Sequence, residues 1–202
     1  MICQHTAVTI KSLSILFVVL IWNCHVKTQV HLPAFVVRAL QETEATFVIP
    51  DGFHMVPVRE NPDVRYDFAI SSEEVKLEIR FLLRPLNKDI EEFIQRSSSG
   101  PHPNIYHEAL LLTMCLNLSG GTICEPVPFN PGEVKAEFNA DAGFTTLVDL
   151  NSVFGRGFRR AVINVLHRDN VGDLYVFYLF DDISSVYSHL FRDDVFHTLK
   201  FK

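Results

Sequence analysis

The chain lacks an apolar run long enough to cross a bilayer, which requires about 20 residues. Its first apolar run covers only residues 13–22, Lys11 precedes it, and no acidic residue appears before Glu42. A basic start, a short hydrophobic centre and a polar exit are typical of an export signal. Residues 1–29 are therefore predicted to be a signal peptide or a lipoprotein signal. The protein is expected to be exported, as a periplasmic, secreted or membrane-anchored protein.

The processing of this signal depends on Cys24, which directly follows the apolar run. The aliphatic residues before it suit a lipoprotein signal, in which the cysteine is acylated and becomes the new N-terminus, but Trp22 and Asn23 suit it poorly. Three alternatives remain open: acylation of Cys24, ordinary cleavage near residues 27–29, and an uncleaved N-terminal anchor. Acylation or an uncleaved anchor would attach the protein to a membrane, and a single acyl chain alone binds only marginally.

The chain has no excess of basic residues. Its formal net charge is -6, and removal of residues 1–29 makes it more acidic, because that segment carries Lys11 and Lys27 but no acid. An acidic chain repels phosphate backbones, so nucleic-acid binding is not expected. The remaining length fits one domain. We expect residues 30–45 to be a leading segment and residues 46–202 to form a single domain.

Beyond the signal, only two cysteines are present, and they lack the Cys-x-x-Cys spacing of redox and zinc sites. Cys115 and Cys124 are separated by a short segment that contains Gly120 and Gly121. In an exported protein they are a candidate disulfide. Cys115 also falls within an apolar run, where a buried free thiol is equally ordinary. The sequence leaves both alternatives open.

Strict period-two alternation predicts two strands over residues 65–70 and 75–83, joined by a short polar link. Together they indicate an antiparallel hairpin with one buried and one solvated face. A further strand is predicted over residues 46–49, before the turn at residues 50–52. Three later strands are predicted over residues 145–150, 158–167 and 174–180. The last of these is apolar on both faces, which is typical of a central strand covered on each side.

Helical spacing predicts a short helix over residues 86–96, and Asn104 is a suitable cap for a second helix that runs to about Leu118. Pro131 is expected at the first position of a third helix, with Asn130 as its cap. From Ser184 the pattern is helical again through Val186, Tyr187 and Leu190, which predicts a terminal helix. Strands and helices in separate runs predict an α+β domain with a mostly antiparallel sheet, covered by helices on both faces.

A resemblance follows from residues 47–53, Phe-Val-Ile-Pro-Asp-Gly-Phe, from the hairpin after them, and from the late strand pair with its C-terminal helix. Over residues 45–201 this pattern resembles the PsbP-like α/β/α sandwich, a superfamily that includes exported bacterial lipoproteins of the DcrB type. The resemblance implies an accessory or binding module. It implies no catalytic residues, because the superfamily shares none that match positions here.

The candidate site residues are His107, where a loop enters a helix, and the basic cluster of Arg156, Arg159 and Arg160. Arg156 is the middle residue of a Gly-x-Gly turn, Arg159 and Arg160 follow that turn, and the cluster could bind an anion. The histidines considered as metal ligands are His102, His107, His189 and His197. No metal site is predicted, because no two of them have the His-x-x-x-His spacing of a zinc protease. No cofactor is expected either.

Two classes of function remain. The first is a non-enzymatic accessory or binding module of the cell envelope that binds a protein partner, and the lack of any catalytic spacing favours it. The second is an envelope enzyme or a small-ligand or metal-binding protein that uses the His107 region or the Arg156 to Arg160 cluster. Clustering of His107, His167 and an acid in a concave pocket would favour this second class.

Overall fold

The computed structural model describes residues 32–96 and 100–202, so the predicted export signal and Cys24 lie outside the described residues. The helices are α1 (Ala34–Glu42), α2 (Asn87–Gln95), α3 (Tyr106–Ser119), α4 (Pro131–Phe138), α5 (Ser152–Gly155), α6 (Ile183–Leu190) and α7 (Asp193–Phe196). The strands are β1 (Ala45–Phe47), β2 (Phe53–Val56), β3 (Phe68–Ser72), β4 (Glu78–Pro85), β5 (Val127–Pro128), β6 (Ala142–Asp149), β7 (Arg160–Arg168), β8 (Gly172–Phe180) and β9 (Leu199–Phe201).

Seven of these strands form one antiparallel sheet in the order β2-β3-β4-β8-β7-β6-β5, and β1 pairs separately with β9. The predicted α+β class with an antiparallel sheet is confirmed. The leading segment contributes α1, whose Val36 is fully buried, to the same compact unit as the rest of residues 32–202. None of the helices within the described residues is long and apolar enough to span a membrane.

The predicted early hairpin forms as β3 and β4, with Phe68 opposite Phe81 and Ile70 opposite Ile79. The prediction that one face of this hairpin is solvated is wrong, because Arg80 on that face is only 2% exposed. Arg80 is covered by the rings of Tyr66 and Phe154. Polar residues at alternate positions indicate a solvated face only when no other layer packs there. Whether a layer packs there depends on residues outside the hairpin.

Helix ends follow local chemistry where a cap is available. Asn130 caps α4 as predicted, since its side-chain oxygen accepts hydrogen bonds from the backbone N–H groups of Gly132 and Glu133. The helix predicted from Asn104 begins instead at Tyr106, after a 3-10 turn over Pro103–Ile105. The turn forms because the His102 side chain accepts a hydrogen bond from the backbone N–H of Asn104.

The helix predicted from Ser184 forms as α6, but it is not the last element, since α7 and strand β9 follow it. Leu199 and Phe201 are buried and Lys200 is exposed, which is the period-two pattern of a strand. β9 pairs with β1 across more than 150 positions of sequence. The spacing of three apolar residues near the chain end could not distinguish a helix from a strand, because the partner strand lies at the other end of the domain.

Two clusters of buried apolar side chains pack against the central strands. The first cluster includes Leu174, Val176 and Tyr178 of β8 together with residues of α1, α4, α6 and α7. The second includes Tyr175, Phe177 and Leu179 of the same strand together with residues of α3 and α5. Successive side chains of β8 therefore pack in different clusters, which explains why this strand is apolar throughout.

Candidate functional site

A disulfide closes the segment that follows α3. Cys115 is fully buried in the last turns of this helix and is bonded to Cys124, with their Cα atoms 5.9 Å apart. Gly120 adopts a left-handed conformation at the helix end, which glycine does at little cost and which turns the chain back toward α3. Of the two alternatives that the sequence left open, the structure contains the disulfide.

The tight hairpin of β7 and β8 places His167 opposite Asp173 on adjacent strands. Nδ1 of His167 lies 2.6 Å from Oδ1 of Asp173, and both side chains are almost completely buried. The other oxygen of Asp173 accepts a hydrogen bond of 2.7 Å from Arg84, its neighbour on β4. Nε2 of His167 lies 3.0 Å from the exposed carboxylate of Asp169 in the hairpin turn. His167 is therefore held by a carboxylate on each ring nitrogen.

His107, in the first turn of α3, stacks on His167. The ring centroids are 4.2 Å apart and the planes differ by 15°. Nδ1 of His107 lies 2.7 Å from the backbone oxygen of Asn104. A carbonyl oxygen only accepts, so we assign the proton of a neutral His107 to Nδ1 and its lone pair to Nε2. The backbone oxygen of His107 accepts a hydrogen bond of 3.3 Å from Tyr175 on β8, which anchors the helix start to the sheet.

The two histidines have opposite electrostatic environments. Burial, followed by repulsion from His167, lowers the pKa of His107, which favours its neutral form. Burial also acts to lower the pKa of His167, but hydrogen bonds and charge interactions with Asp173 and Asp169 outweigh burial and raise it. The pair therefore combines a neutral imidazole with an imidazole that readily holds a proton.

This cluster offers two imidazoles and a carboxylate in a small volume. One potential ligand atom from each of His107, His167 and Asp173 lies within 4.8 Å of the others. Among the described residues, no serine, threonine or cysteine side chain hydrogen-bonds either histidine, so the arrangement does not resemble a nucleophile with its base. The cluster can hold a proton or a metal ion. A cleft of about 220 Å³ that is lined by Phe93 and Tyr106 does not include it.

The arginines of the predicted anion site have separate partners within the protein. Arg156 donates a hydrogen bond of 2.7 Å to the backbone oxygen of Glu60, and Arg160 donates one of 2.9 Å to Asp149. The exposed Arg159 follows in sequence but joins neither pair within the described residues. Two of the three guanidinium groups are therefore directed to different protein partners, and anion binding there stays a prediction.

The four histidines considered from sequence do not meet. His102 caps the 3-10 turn, His189 lies 3.0 Å from Glu74, and His197 lies 3.4 Å from Glu137. His107 instead meets His167 and Asp173. The sequence analysis named a contact with His167 as a feature that would favour the second class of function, and it did not identify Asp173 as the acid. A partial signal for the pairing of His167 with Asp173 was available, since a short segment joins the strands predicted over residues 158–167 and 174–180, and residues at the ends of such a hairpin become cross-strand neighbours.

A second feature that the sequence analysis missed is an exposed aromatic pair at the C-terminal end of α6, formed by Tyr187 and by Phe191, the residue that follows the helix. The rings of Tyr187 and Phe191 are 4.7 Å apart, and the two residues are 59% and 64% exposed. Their spacing of four residues along a helix was the available signal. Nearby in sequence, His189 contacts Glu74 and Arg192 forms an ion pair of 2.6 Å with Asp194. Comparison of the chain with protein-family models, curated proteins and solved structures found no match.

Proposed function

We propose that this protein is an exported, non-enzymatic binding module of the cell envelope that binds a protein partner. The observation that carries the proposal is the disulfide between Cys115 and Cys124. Disulfides persist in oxidising compartments and are rare where thiols are kept reduced. This argument is independent of the N-terminal pattern, and both favour a location outside the cytoplasm.

The proposed architecture is a sandwich in which helices cover both faces of the sheet, as in the PsbP-like superfamily. The distribution of buried side chains supports it: α1, α4, α6 and α7 contribute to the first cluster, and α3 and α5 contribute to the second. Alternate residues of the central strand β8 divide between the two clusters. A superfamily of accessory modules fits a binding role, although fold alone determines no function.

The aromatic pair at the C-terminal end of α6 is the proposed contact with the partner. Tyrosine and other aromatic residues are enriched at the centres of protein interfaces, where polar groups commonly form the rim. The rings of Tyr187 and Phe191 contact each other at the surface, and the ion pair of Arg192 with Asp194 follows directly along the chain. Val186 and Leu190 of the same helix are buried and anchor it to the domain, so the rings are presented on a fixed surface.

Intact-mass spectrometry of the protein purified from its native envelope tests the location. We expect a chain that begins at an acylated Cys24, or an unmodified chain that begins near Val30, with the Cys115–Cys124 disulfide intact in either case. Acylation would place the partner at a membrane surface, whereas an unmodified start would make the protein soluble after export. A full-length chain with both of these cysteines reduced would contradict export.

Site-specific photocrosslinking in living cells tests the binding role. A photoreactive amino acid at position 187 should give one crosslinked product with a different protein, and Phe191→Ser should abolish it. The matched control is the exposed Lys200 on β9, where the same amino acid should give no such product. Equal products at both positions, or a crosslink only to a second copy of this chain, would contradict the proposed contact.

The second class of function, an envelope enzyme or a small-ligand or metal-binding protein that uses the His107 region, has one observation in its favour. His107, His167 and Asp173 lie together, which meets one part of the condition stated for that class. The cluster lacks a bonded nucleophile within the described residues, and the cleft beside Phe93 and Tyr106 does not include it. These features favour binding of an ion over a reaction on a substrate.

A further inference from the structure

We propose that His107, His167 and Asp173 form a binding site for one divalent transition-metal ion, and that Zn²⁺ is the ion that fits it. The three residues come from separate parts of the chain, since α3 supplies the first and the β7–β8 hairpin supplies the other two. Two imidazoles and one carboxylate, with a water at the fourth position, form a common ligand set for zinc.

The spacing of the donor atoms supports a single ion. One donor from each residue lies within 4.8 Å of the others. Ligands on a tetrahedral zinc are about 3.3 Å apart when the bonds are about 2.0 to 2.1 Å long. The separation of 2.6 Å between Nδ1 of His167 and Oδ1 of Asp173 therefore widens when the ion takes the place of the proton between them. The ion replaces one proton, so the local charge rises by one unit only.

Neighbouring groups already orient these ligands. Nε2 of His167 lies 3.0 Å from Asp169, and a carboxylate on the second ring nitrogen is the usual companion of a metal-bound histidine. Arg84 bonds Oδ2 of Asp173 and leaves Oδ1 directed at His167. Asp169 and Arg84 thus hold the two buried ligands in position before an ion arrives, which reduces the cost of ordering the site.

His107 is the adjustable ligand. A metal ion lies in the plane of each imidazole that binds it, so the stacked rings cannot both bind until His107 turns about its Cβ–Cγ bond. His107 is half-buried, and its ring makes one hydrogen bond within the described residues, to the oxygen of Asn104. Its backbone stays fixed by Tyr175 while the ring turns. The half-buried ring also provides the route by which an ion reaches the otherwise buried pair.

Calorimetric titration of the full chain with Zn²⁺, after dialysis against a chelator, tests the site. We expect one ion per chain at this site, with about one proton released per ion. His107→Ala should weaken binding at least tenfold, because it removes a ligand. Asp169→Asn should weaken it about 10-fold to 100-fold, the range reported for loss of an orienting partner. The matched control is His54→Ala, since this exposed histidine also lies beside an acid, Glu73, and should change nothing.

Cobalt substitution gives a second readout. Co²⁺ bound at a four-coordinate site absorbs visible light strongly, and the band should disappear in His107→Ala. Asp169 is exposed, so Asp169→Asn keeps the proposal testable if His107→Ala fails to fold. Equal zinc affinity in His107→Ala, His54→Ala and the unaltered chain would overturn the proposal, as would the lack of stoichiometric binding. Neither result affects the mass or crosslinking tests of the proposed function.

Discussion

The two sides of the central sheet differ in what they bury. Within residues 32–96 and 100–202, the polar side chains buried on the side of the first cluster, which contains Phe68 and Phe81, are neutral, such as Asn164 on β7. By strand alternation, Arg80, His167 and Asp173 share the other side with the second cluster and are each no more than 3% exposed. Charged groups concentrate on one side of one sheet. The first side therefore buries mainly apolar side chains, whereas the second side also buries charged and titratable groups.

Arg80 shows how the second side accommodates a buried charge. Its guanidinium carbon lies 4.9 Å from the ring centre of Tyr66 and 4.5 Å from that of Phe154. It donates hydrogen bonds of 2.6 Å to Glu78 and to the backbone oxygen of Phe154. Aromatic faces and oxygen acceptors together replace water around the charge. The guanidinium group of Arg80 therefore requires aromatic faces and oxygen acceptors in the residues that pack around it.

The largest expected effect is on the first side. Phe81 is fully buried and stacks on Phe68 with ring centroids 4.6 Å apart. Phe81→Ala should lower the free energy of unfolding by about 4 kcal/mol, because it removes a large apolar side chain and leaves a cavity. Urea denaturation measures the change. The exposed Phe191→Ala is the control and should change stability by less than about 0.5 kcal/mol. Equal effects would show that the first cluster is not a tightly packed core.

The second effect tests the buried charge. Arg80→Ala should lower the free energy of unfolding by about 3 kcal/mol, because Glu78 and the oxygen of Phe154 would lose their buried partner. The same urea titration measures it, with the exposed Arg96→Ala as control, whose ion pair with Glu92 contributes less than about 0.5 kcal/mol. If the two arginine variants lost the same free energy of unfolding, the two sides of the sheet would not differ in the way that the burial pattern indicates.

The third effect concerns the disulfide on the second side. The chain-entropy model gives about 2.6 kcal/mol for a loop of this size, which closes over a sequence separation of 9. The double variant Cys115→Ala and Cys124→Ala should lose roughly this amount. A reducing agent should destabilise the unaltered chain but leave the double variant unchanged. If the reducing agent changed the stability of neither protein, the disulfide would not stabilise this region.

The smallest effect is a pH dependence from His167. Its pKa in the folded protein is raised, so protonation stabilises the fold; this contribution is complete below the unfolded pKa of 6.5 and disappears as pH rises through the folded value. His107 contributes with the opposite sign. In chelator, the advantage of the unaltered chain over His167→Gln should therefore decline between slightly acidic and alkaline pH. A constant difference would mean that Asp173 and Asp169 do not favour the protonated ring.

Local patterns were enough to predict much of the fold. The β3–β4 hairpin, the cap of α4 by Asn130 and the late strand pair each depend on residues close together in sequence. Strand β2 was missed, because its four residues, Phe53–Val56, follow a turn and are too few for a clear period. Strand β9 was not recognised, because the strand that pairs with it, β1, lies more than 150 positions away in sequence. Errors occurred where a short segment depends on a distant strand.

The candidate site was only partly predictable. His107 was selected from its place at a helix start, and the late strand pair was predicted, which implies that the residues at its turn are neighbours. Nothing local indicated that α3 would bring His107 onto His167, because that contact joins elements about 60 positions apart in sequence. The Arg156 to Arg160 cluster was a sequence neighbourhood that the fold divides between Glu60 and Asp149.

The sequence by itself determined the N-terminal export pattern, the α+β class and the strands and caps that short-range periodicity and hydrogen bonding specify. Only the tertiary structure decided that Arg80 is buried, that Cys115 meets Cys124 and that two histidines stack beside an aspartate. Periodicity reports which residues share a face of one element. It carries no information about which other element covers that face, because that depends on packing between segments far apart in the chain.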